Sequence, residues 1–183
     1  MKACVITASG ESDVLELHDV ECPTPGVSEL LVRVVASGLN RADVLQRRGL
    51  YPAPPGVPPN IPGLEYAGVV EVCGPDVRAF APGDRVMGLV AGGGCAEYLV
   101  TREELALPIP TDLGFLEAAA FPEAYITAYD AMWVQGGLRE RGAIAMTAAS
   151  SGVGTAAIQL ATAWNVTVFG STRSAHKLSL IHI

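Results

Sequence analysis

The segment spanning residues 143–169 constrains the fold more strongly than any other part of the chain. An apolar run at residues 143–149 leads into a turn of small residues at 150–154. An alanine-rich stretch with helical spacing follows, and a second apolar run occupies residues 166–169. This order predicts strand, tight turn, helix and strand, a βαβ unit. The turn of such a unit lies at a helix N-terminus, where backbone N–H groups can bind a dinucleotide pyrophosphate.

The turn has the small residues of a phosphate-binding loop but not the full G-x-G-x-x-G spacing. Ser151, Gly152 and Gly154 would let the backbone approach phosphate oxygens, yet a tight turn of an ordinary α/β protein remains an alternative. We expect Asn165 to end the helix in a left-handed conformation. One helix face is predicted to be buried, at i, i+4 and i+8 spacing: Val153, Ala157, Ile158, Ala161 and Trp164.

The first 120 residues are rich in short apolar runs separated by turns, which predicts a partly closed β-barrel. The predicted strands cover residues 2–7, 14–20, 30–37, 68–73, 85–90 and 95–100. A helix is predicted over residues 40–48, with Leu39, Val44 and Leu45 facing inward and Gly49 ending it. The proline-rich stretch at 51–62 predicts an extended loop, either functional or a solvated spacer.

The residue pattern becomes typical of helices near residue 113. We predict a first domain over residues 1–121 and a second over residues 122–183. A doubly wound nucleotide-binding sheet commonly has about five or six strands, whereas the second domain offers two. We therefore expect the sequence to be truncated. The last six residues have no evident structural logic and are interpreted as a possible artefact.

Composition excludes several classes of protein. Half the residues are apolar, 17% are charged and the net charge is −7, which favours a globular chain without a nucleic-acid or anionic membrane partner. No apolar run is long enough to span a bilayer. The four cysteines are scattered and form no CxxC pair, which favours a reduced, cytoplasmic setting.

Four ordered motifs carry a family resemblance: residues 36–49, 63–68, 82–86 and 149–154. Together they resemble the medium-chain dehydrogenase/reductase superfamily, and most closely its zinc-free NADPH:quinone oxidoreductases of the zeta-crystallin type. The resemblance implies a GroES-like, partly closed β-barrel followed by the first part of a Rossmann doubly wound domain. It also implies hydride transfer from NADPH to a quinone in the interdomain cleft, and a homodimer for the full-length form.

The resemblance also addresses the metal. Zinc-dependent members of the superfamily place a cysteine where this chain has Asn40 and a histidine where it has Leu64. Neither an amide nor an alkyl side chain is a credible zinc ligand, so we expect no metal. Glu65, which follows, is interpreted as a structural, hydrogen-bonded acid.

The same resemblance assigns site residues. Asn40 and Tyr51 would be catalytic, with Tyr51 donating a hydrogen bond or a proton to a quinone oxygen; the alternative for Tyr51 is a loop aromatic that packs over the barrel. Thr127 would bind cofactor, or else bond its own helix backbone. The pyrophosphate would lie on Ser151, Gly152, Val153 and Gly154.

The residues after the second predicted strand indicate which cofactor is bound. NAD-specific folds place an acid there for the ribose 2′-OH, and residues 170–177 contain none. Arg173, Ser174 and Lys177 instead suit the 2′-phosphate of NADPH, although a solvated helix start with Ser174 as N-cap is an alternative. Three further interpretations stay open: an enone or 2-enoyl reductase, an NADPH-binding protein without turnover, and an inactive fragment.

Overall fold

The computed structural model describes residues 1–181, which divide into a first compact unit, Met1–Pro122, and a second that begins at Glu123. Residues 182 and 183, part of the ending interpreted as a possible artefact, lie outside the described residues. Within the described range, no helix combines the length and apolar character needed to cross a bilayer.

The first unit is built on antiparallel strands. A hairpin of β1 (Lys2–Ile6) and β2 (Leu15–Asp19) accompanies a five-stranded sheet in the order β6-β3-β4-β5-β7. The strands of that sheet are β3 (Glu29–Ala36), β4 (Glu65–Cys73), β5 (Arg85–Leu89), β6 (Tyr98–Arg102) and β7 (Ala106–Pro108). Two register shifts interrupt the pairing of β3 with β4, and such bulges increase the local twist of a sheet. The predicted β-rich front is thus confirmed.

The apolar sequence runs that predicted these strands also supply the side chains of the core. Buried side chains from five strands pack together because alternate residues of each strand face the same side. They include Leu30, Val32, Tyr66, Val70, Val86, Leu99 and Ala106. A second cluster joins the sheet to the short helix α2 (Phe115–Ala119) through Ala67, Met87, Ala118 and Ala119.

Helix α1 (Arg41–Arg47) occupies most of the predicted 40–48 range, but its buried face is polar. Leu39 was predicted to face inward and is 86% exposed, so that prediction was wrong. The buried positions are Asp43 and Gln46, because each side chain bonds the chain that follows: Gln46 Nε2 donates to the Pro59 carbonyl at 3.2 Å. Gly49 follows the helix with φ +73°, a left-handed conformation that suits its predicted role at the end of the helix.

The 92–95 segment explains why β6 begins three residues later than predicted. Its backbone donates to the proline-rich loop rather than to β3: Gly93 N bonds the Ile61 carbonyl and Cys95 N bonds the Pro62 carbonyl, both at 2.9 Å. Ile61 and Pro62 are buried at the end of that loop, whereas most of the loop is exposed. The loop is therefore anchored at its carboxyl end.

The second unit contains the predicted βαβ unit. Helix α3 (Pro122–Tyr129) continues into a π-helical turn at Asp130–Gln135. Strand β8 (Ala143–Met146), helix α4 (Gly152–Ala163) and strand β9 (Thr167–Gly170) follow, and β8 pairs with β9 in parallel. Asn165 has φ +54°, which confirms it as the left-handed residue after α4.

The buried face of α4 is narrower than predicted. Ala157, Ile158 and Ala161 are buried, but Val153 and Trp164 are 38% and 40% exposed, so the prediction was wrong at both ends of the helix. Val153 lies in the first turn of the helix, next to the exposed residues Ser151 and Gly152. Trp164 follows the last turn, and its ring lies 5.0 Å from that of Trp133.

Candidate functional site

The turn between β8 and α4 is shaped by a helix cap and by one backbone position of unusual conformation. Ser151 is the N-cap of α4, and its Oγ accepts a hydrogen bond from Gly154 N at 3.0 Å. Ala148 has φ +52°, which turns the chain sharply after β8. Ala149 N donates to the Ser171 carbonyl at 3.0 Å, so the turn is tied to the chain that leaves β9.

The two glycines of this turn have different surroundings. A Cβ atom built on Gly154 would lie 2.5 Å from the Ala149 carbonyl oxygen, so this glycine permits close packing of the helix on its own turn. A Cβ on Gly152 would meet no atom within 4 Å. Gly152, together with the exposed Ser151 and Val153, therefore borders open space at the positive end of the helix.

A pocket of about 460 Å³ lies at the carboxyl ends of β8 and β9. It is lined by Thr147, Ala148, Ser171, Thr172, Arg173, Ser174 and Lys177. Arg173, Ser174 and Lys177, predicted as one group, thus line one pocket, and its lining holds two cationic side chains and no carboxylate. Ala148 belongs both to this lining and to the turn between β8 and α4.

The polar residues around this pocket are connected to the turn. Ser150 Oγ and Thr172 Oγ1 lie 3.0 Å apart in a hydrogen bond. Ser174 N bonds Thr172 Oγ1 at 3.4 Å, and a 3₁₀ helix over Ala175–Ile181 begins directly after Ser174. Sequence reasoning did not identify Thr147, Ser171 or Thr172; the signal for all three was their position at the carboxyl ends of two parallel strands.

Thr127 lies apart from this pocket in the second unit. It is an exposed residue of α3 and does not belong to the pocket lining. Its predicted contact with cofactor stays a prediction.

In the first unit, Asn40 lies in a network of buried carboxylates. Asn40 Nδ2 donates to Glu65 Oε1 at 2.8 Å, and Glu65 is 3% exposed. The Asp43 carboxylate accepts from Asn40 N at 2.7 Å and from Gly63 N at 2.9 Å. Ser37 Oγ donates to the Glu65 carbonyl at 2.8 Å. Glu65 is therefore confirmed as a hydrogen-bonded structural acid.

Sequence reasoning missed Ser37 and Asp43. The Asn40-x-x-Asp43 spacing of a capping box was the available signal for Asp43. For Ser37 no local pattern distinguished it from other polar residues at a strand end.

The residues at the metal position of zinc-dependent relatives do not fit a zinc ion. The Asn40 side chain presents an N–H group to Glu65, and a donor N–H has no lone pair to offer a cation. Leu64 is buried and apolar. Among the described residues, no three histidine, cysteine or acidic side chains are grouped so as to hold a metal ion.

Tyr51 is 45% exposed at the start of the proline-rich loop, five residues after the last buried position of α1. Its place in an accessible loop is compatible both with a ligand-facing donor and with a packing aromatic.

Residues 26–111 match the family described as the alcohol dehydrogenase GroES-like domain. The chain is 39% identical over 188 residues to the human synaptic vesicle membrane protein VAT-1 homolog-like, covering 100% of this chain and 45% of that protein. It is 36% identical over 173 residues to the quinone oxidoreductase of Lama guanicoe, covering 93% and 52%. The chain thus spans about half the length of the curated relatives it matches.

Solved structures extend the same likeness. The crystal structure of human VAT-1 homolog-like protein superposes with a TM-score of 0.91, covering 100% of this chain and 59% of that one, at 39% identity. A Pseudomonas syringae quinone oxidoreductase gives 0.89, covering 99% and 55%, at 33% identity. A mycobacterial protein solved in complex with NADPH gives a TM-score of 0.87 at 30% identity, covering 100% of this chain and 56% of that one. The CurK enoyl reductase gives a TM-score of 0.88 at 26% identity, covering 99% of this chain and 56% of that one.

The first unit contains a GroES-like domain, and the second contains a βαβ unit. Residues 26–111 thus form an alcohol dehydrogenase GroES-like domain, and the homologues of the chain include VAT-1 proteins and quinone oxidoreductases, as the resemblance seen in the sequence predicted. The predicted fold class is thereby confirmed.

Proposed function

We propose that this chain supplies the substrate-side domain and the start of the cofactor domain of a zinc-independent, NADPH-dependent quinone oxidoreductase. The observation that carries the proposal is the pocket of the second unit, where two cationic side chains adjoin a glycine turn that caps a helix. The similarity of the chain to quinone oxidoreductases supports a quinone as the acceptor. When bound, the reduced nicotinamide supplies the hydride.

The residues of the second unit would bind the cofactor through its phosphates. The open space before Gly152 suits a pyrophosphate, because backbone N–H groups of the first turn of α4 and the helix dipole favour an anion there. Arg173 and Lys177 would form charge-assisted hydrogen bonds with a 2′-phosphate, and Ser174 would add a neutral donor. NADH lacks that phosphate and would leave both cations without a partner.

The residues of the first unit would act on the substrate without a metal. Asn40 is held by Glu65 through one N–H of its carboxamide, which leaves the second N–H to line the site. Tyr51, in an accessible loop, would donate a hydrogen bond or a proton to the quinone oxygen as negative charge develops. Thr127 is proposed as a further cofactor contact, on the family resemblance alone.

A reaction at an enone is the second candidate, because the CurK enoyl reductase superposes on this chain. We also propose a cytoplasmic location, in keeping with four free cysteines, and a homodimer for the full-length protein. Light scattering of the purified protein tests the dimer, and fractionation of the source cells tests the location.

Cofactor binding is tested by titrating NADPH and NADH into the wild-type chain, Gly152→Val and the double variant Arg173→Ala/Lys177→Ala. We expect Gly152→Val to weaken both cofactors by at least about tenfold, because its side chain fills the open space. The double variant should weaken NADPH by roughly 100-fold, since two charge-assisted bonds contribute about 1.5 kcal/mol each. Equal weakening of NADH by the double variant would place the 2′-phosphate elsewhere.

Turnover is tested by following NADPH oxidation with a naphthoquinone and with an alkenal, before and after metal chelation. The proposal expects the quinone to be the better acceptor, chelation to have no effect, and Tyr51→Phe to slow turnover without changing NADPH affinity. A preference for the alkenal supports the enone reductase, and loss of activity on chelation refutes zinc independence. Binding without turnover would favour the non-catalytic nucleotide-binding protein.

A further inference from the structure

Two free thiols oppose each other where β1 meets the segment before β6. Ala3 and Ala96 form an isolated antiparallel bridge, and Cys4 N donates to the Cys95 carbonyl at 2.8 Å. In an antiparallel pairing centred on Ala3 and Ala96, the next opposed pair is Cys4 and Cys95. Directly opposed residues have their side chains on the same side of the sheet, so the two thiols share one face.

This spacing suits a disulfide. Cys4 N bonds the Cys95 carbonyl, whereas Cys95 N bonds the Pro62 carbonyl, so the pair shares one ladder bond. Opposed residues of antiparallel strands have Cα atoms about 4.5–5.5 Å apart, and disulfides span about 4.4–6.8 Å between Cα atoms. The other two cysteines lack such a partner position: Cys22 is exposed outside any strand, and Cys73 Sγ donates to the Phe80 carbonyl at 3.6 Å. The geometry singles out one pair of the four.

Both thiols are protonated in the reduced protein at neutral pH. Burial raises the pKa of Cys4. Burial is also the main reason that the pKa of Cys95 is raised. Asp43 and Cys4 raise it further, and a hydrogen bond between Cys95 and Ser37 lowers it. Because the thiolate is the reactive form, oxidation of this pair is slow and requires sustained exposure to an oxidant. Either thiolate can be the first nucleophile, and the products are the same.

We propose that Cys4 and Cys95 are a redox modification site, which hydrogen peroxide converts into a reversible intramolecular disulfide. The Cys4 thiolate attacks one peroxide oxygen, the O–O bond breaks, and a sulfenic acid and hydroxide form. Cys95 sulfur then attacks the Cys4 sulfur, the S–S bond forms, the S–O bond breaks and water leaves. Overall, two thiols lose two electrons and two protons while one peroxide is reduced to two water molecules.

The disulfide would act on the substrate-side network. Cys95 Sγ lies 3.8 Å from Ser37 Oγ, and Ser37 holds the Glu65 carbonyl. Bonding of Cys95 to Cys4 would remove the contact with Ser37 and connect oxidation to the position of Glu65 and Asn40. The disulfide itself rests on the geometry of the first unit and is independent of the proposed function.

The test is oxidation of the full 183-residue chain with hydrogen peroxide at about pH 8, where more of each thiol is ionised. After alkylation of remaining thiols, trypsin gives peptides 3–33, 49–78 and 86–102, which carry all four cysteines. We expect a disulfide between peptides 3–33 and 86–102 that dithiothreitol reverses. Because peptide 3–33 also contains Cys22, the matched control is Cys22→Ser, which should keep the cross-link.

Cys4→Ser and Cys95→Ser should each abolish that cross-link while retaining the circular dichroism of the reduced wild-type chain. Should Cys95→Ser fail to fold, Cys4→Ser and Cys22→Ser still decide the assignment, because they alter the same peptide. A cross-link lost in Cys22→Ser, a cross-link between different chains, or oxidation to sulfinic acid without a disulfide would each overturn the proposal.

Discussion

Replacing Gly154 by alanine should destabilise the second unit, because the helix and its own turn leave no room for a methyl group. The new Cβ would lie 2.5 Å from the Ala149 carbonyl oxygen and 2.7 Å from that of Ala148. Ordinary van der Waals contact begins at 3.4 Å, so the backbone must open by roughly 0.7–0.9 Å. Both atoms belong to the main chain and cannot be relieved by a rotamer change.

The magnitude follows from two opposing effects. Overpacking a well-packed site costs about 1–3 kcal/mol, and a clash with main-chain oxygens belongs in the upper half of that range. Alanine in place of glycine within a helix contributes about 1 kcal/mol in the other direction. We therefore expect Gly154→Ala to lower the free energy of unfolding of the second unit by about 1–2 kcal/mol.

Urea unfolding followed by tryptophan fluorescence measures this change. The chain has two tryptophans, Trp133 and Trp164, and both belong to the second unit, where their rings lie 5.0 Å apart. Gly152→Ala is the matched control: it introduces the same methyl group two residues earlier, where no atom lies within 4 Å. It should leave the unfolding free energy unchanged or raise it by up to about 1 kcal/mol, because alanine favours the helix and meets no clash.

Two results would refute the predicted clash at position 154: an equal shift of the urea midpoint in both variants, or a Gly154→Ala variant as stable as wild type. Either result would mean that the turn relaxes without cost. The close approach of α4 to its turn would then be no constraint on position 154.

Two further predictions concern buried and exposed carboxylates of the first unit. Asp43→Ala should lower the free energy of unfolding by about 2–4 kcal/mol, measured by circular dichroism, because it leaves two backbone N–H groups without acceptors. Asp43→Asn keeps one acceptor oxygen and should cost less. Equal losses in the two variants would contradict this account. The pKa of Glu103 is lowered by hydrogen bonds from Ala79 N and Arg78 N, so its stabilisation is present above its ordinary pKa of about 4.3 and is lost as pH falls through the lower folded value. Glu103→Gln should therefore be less stable than wild type at neutral pH, with the difference vanishing in acid. A difference that persists after the Glu103 carboxylate is protonated would argue against a role for its charge.

Local periodicity and turn chemistry were sufficient for much of the fold. The βαβ unit followed from two apolar runs around a helix-period segment, and both glycine at 49 and asparagine at 165 adopt the left-handed conformation expected after a helix. These features depend on residues within a few positions of each other. The sequence alone also placed Arg173, Ser174 and Lys177 in one group, because they are neighbours along the chain.

Only the tertiary structure decided which side chains of α1 are buried. An apolar count favours Leu39, but hydrogen bonds to residues 59 and 63 pull Gln46 and Asp43 inward instead. The same long-range contacts bring Asn40 to Glu65, twenty-five residues away. Hydrogen bonds between distant segments leave no period in the sequence, since each needs a single donor and a single acceptor whose positions are set by the surrounding fold.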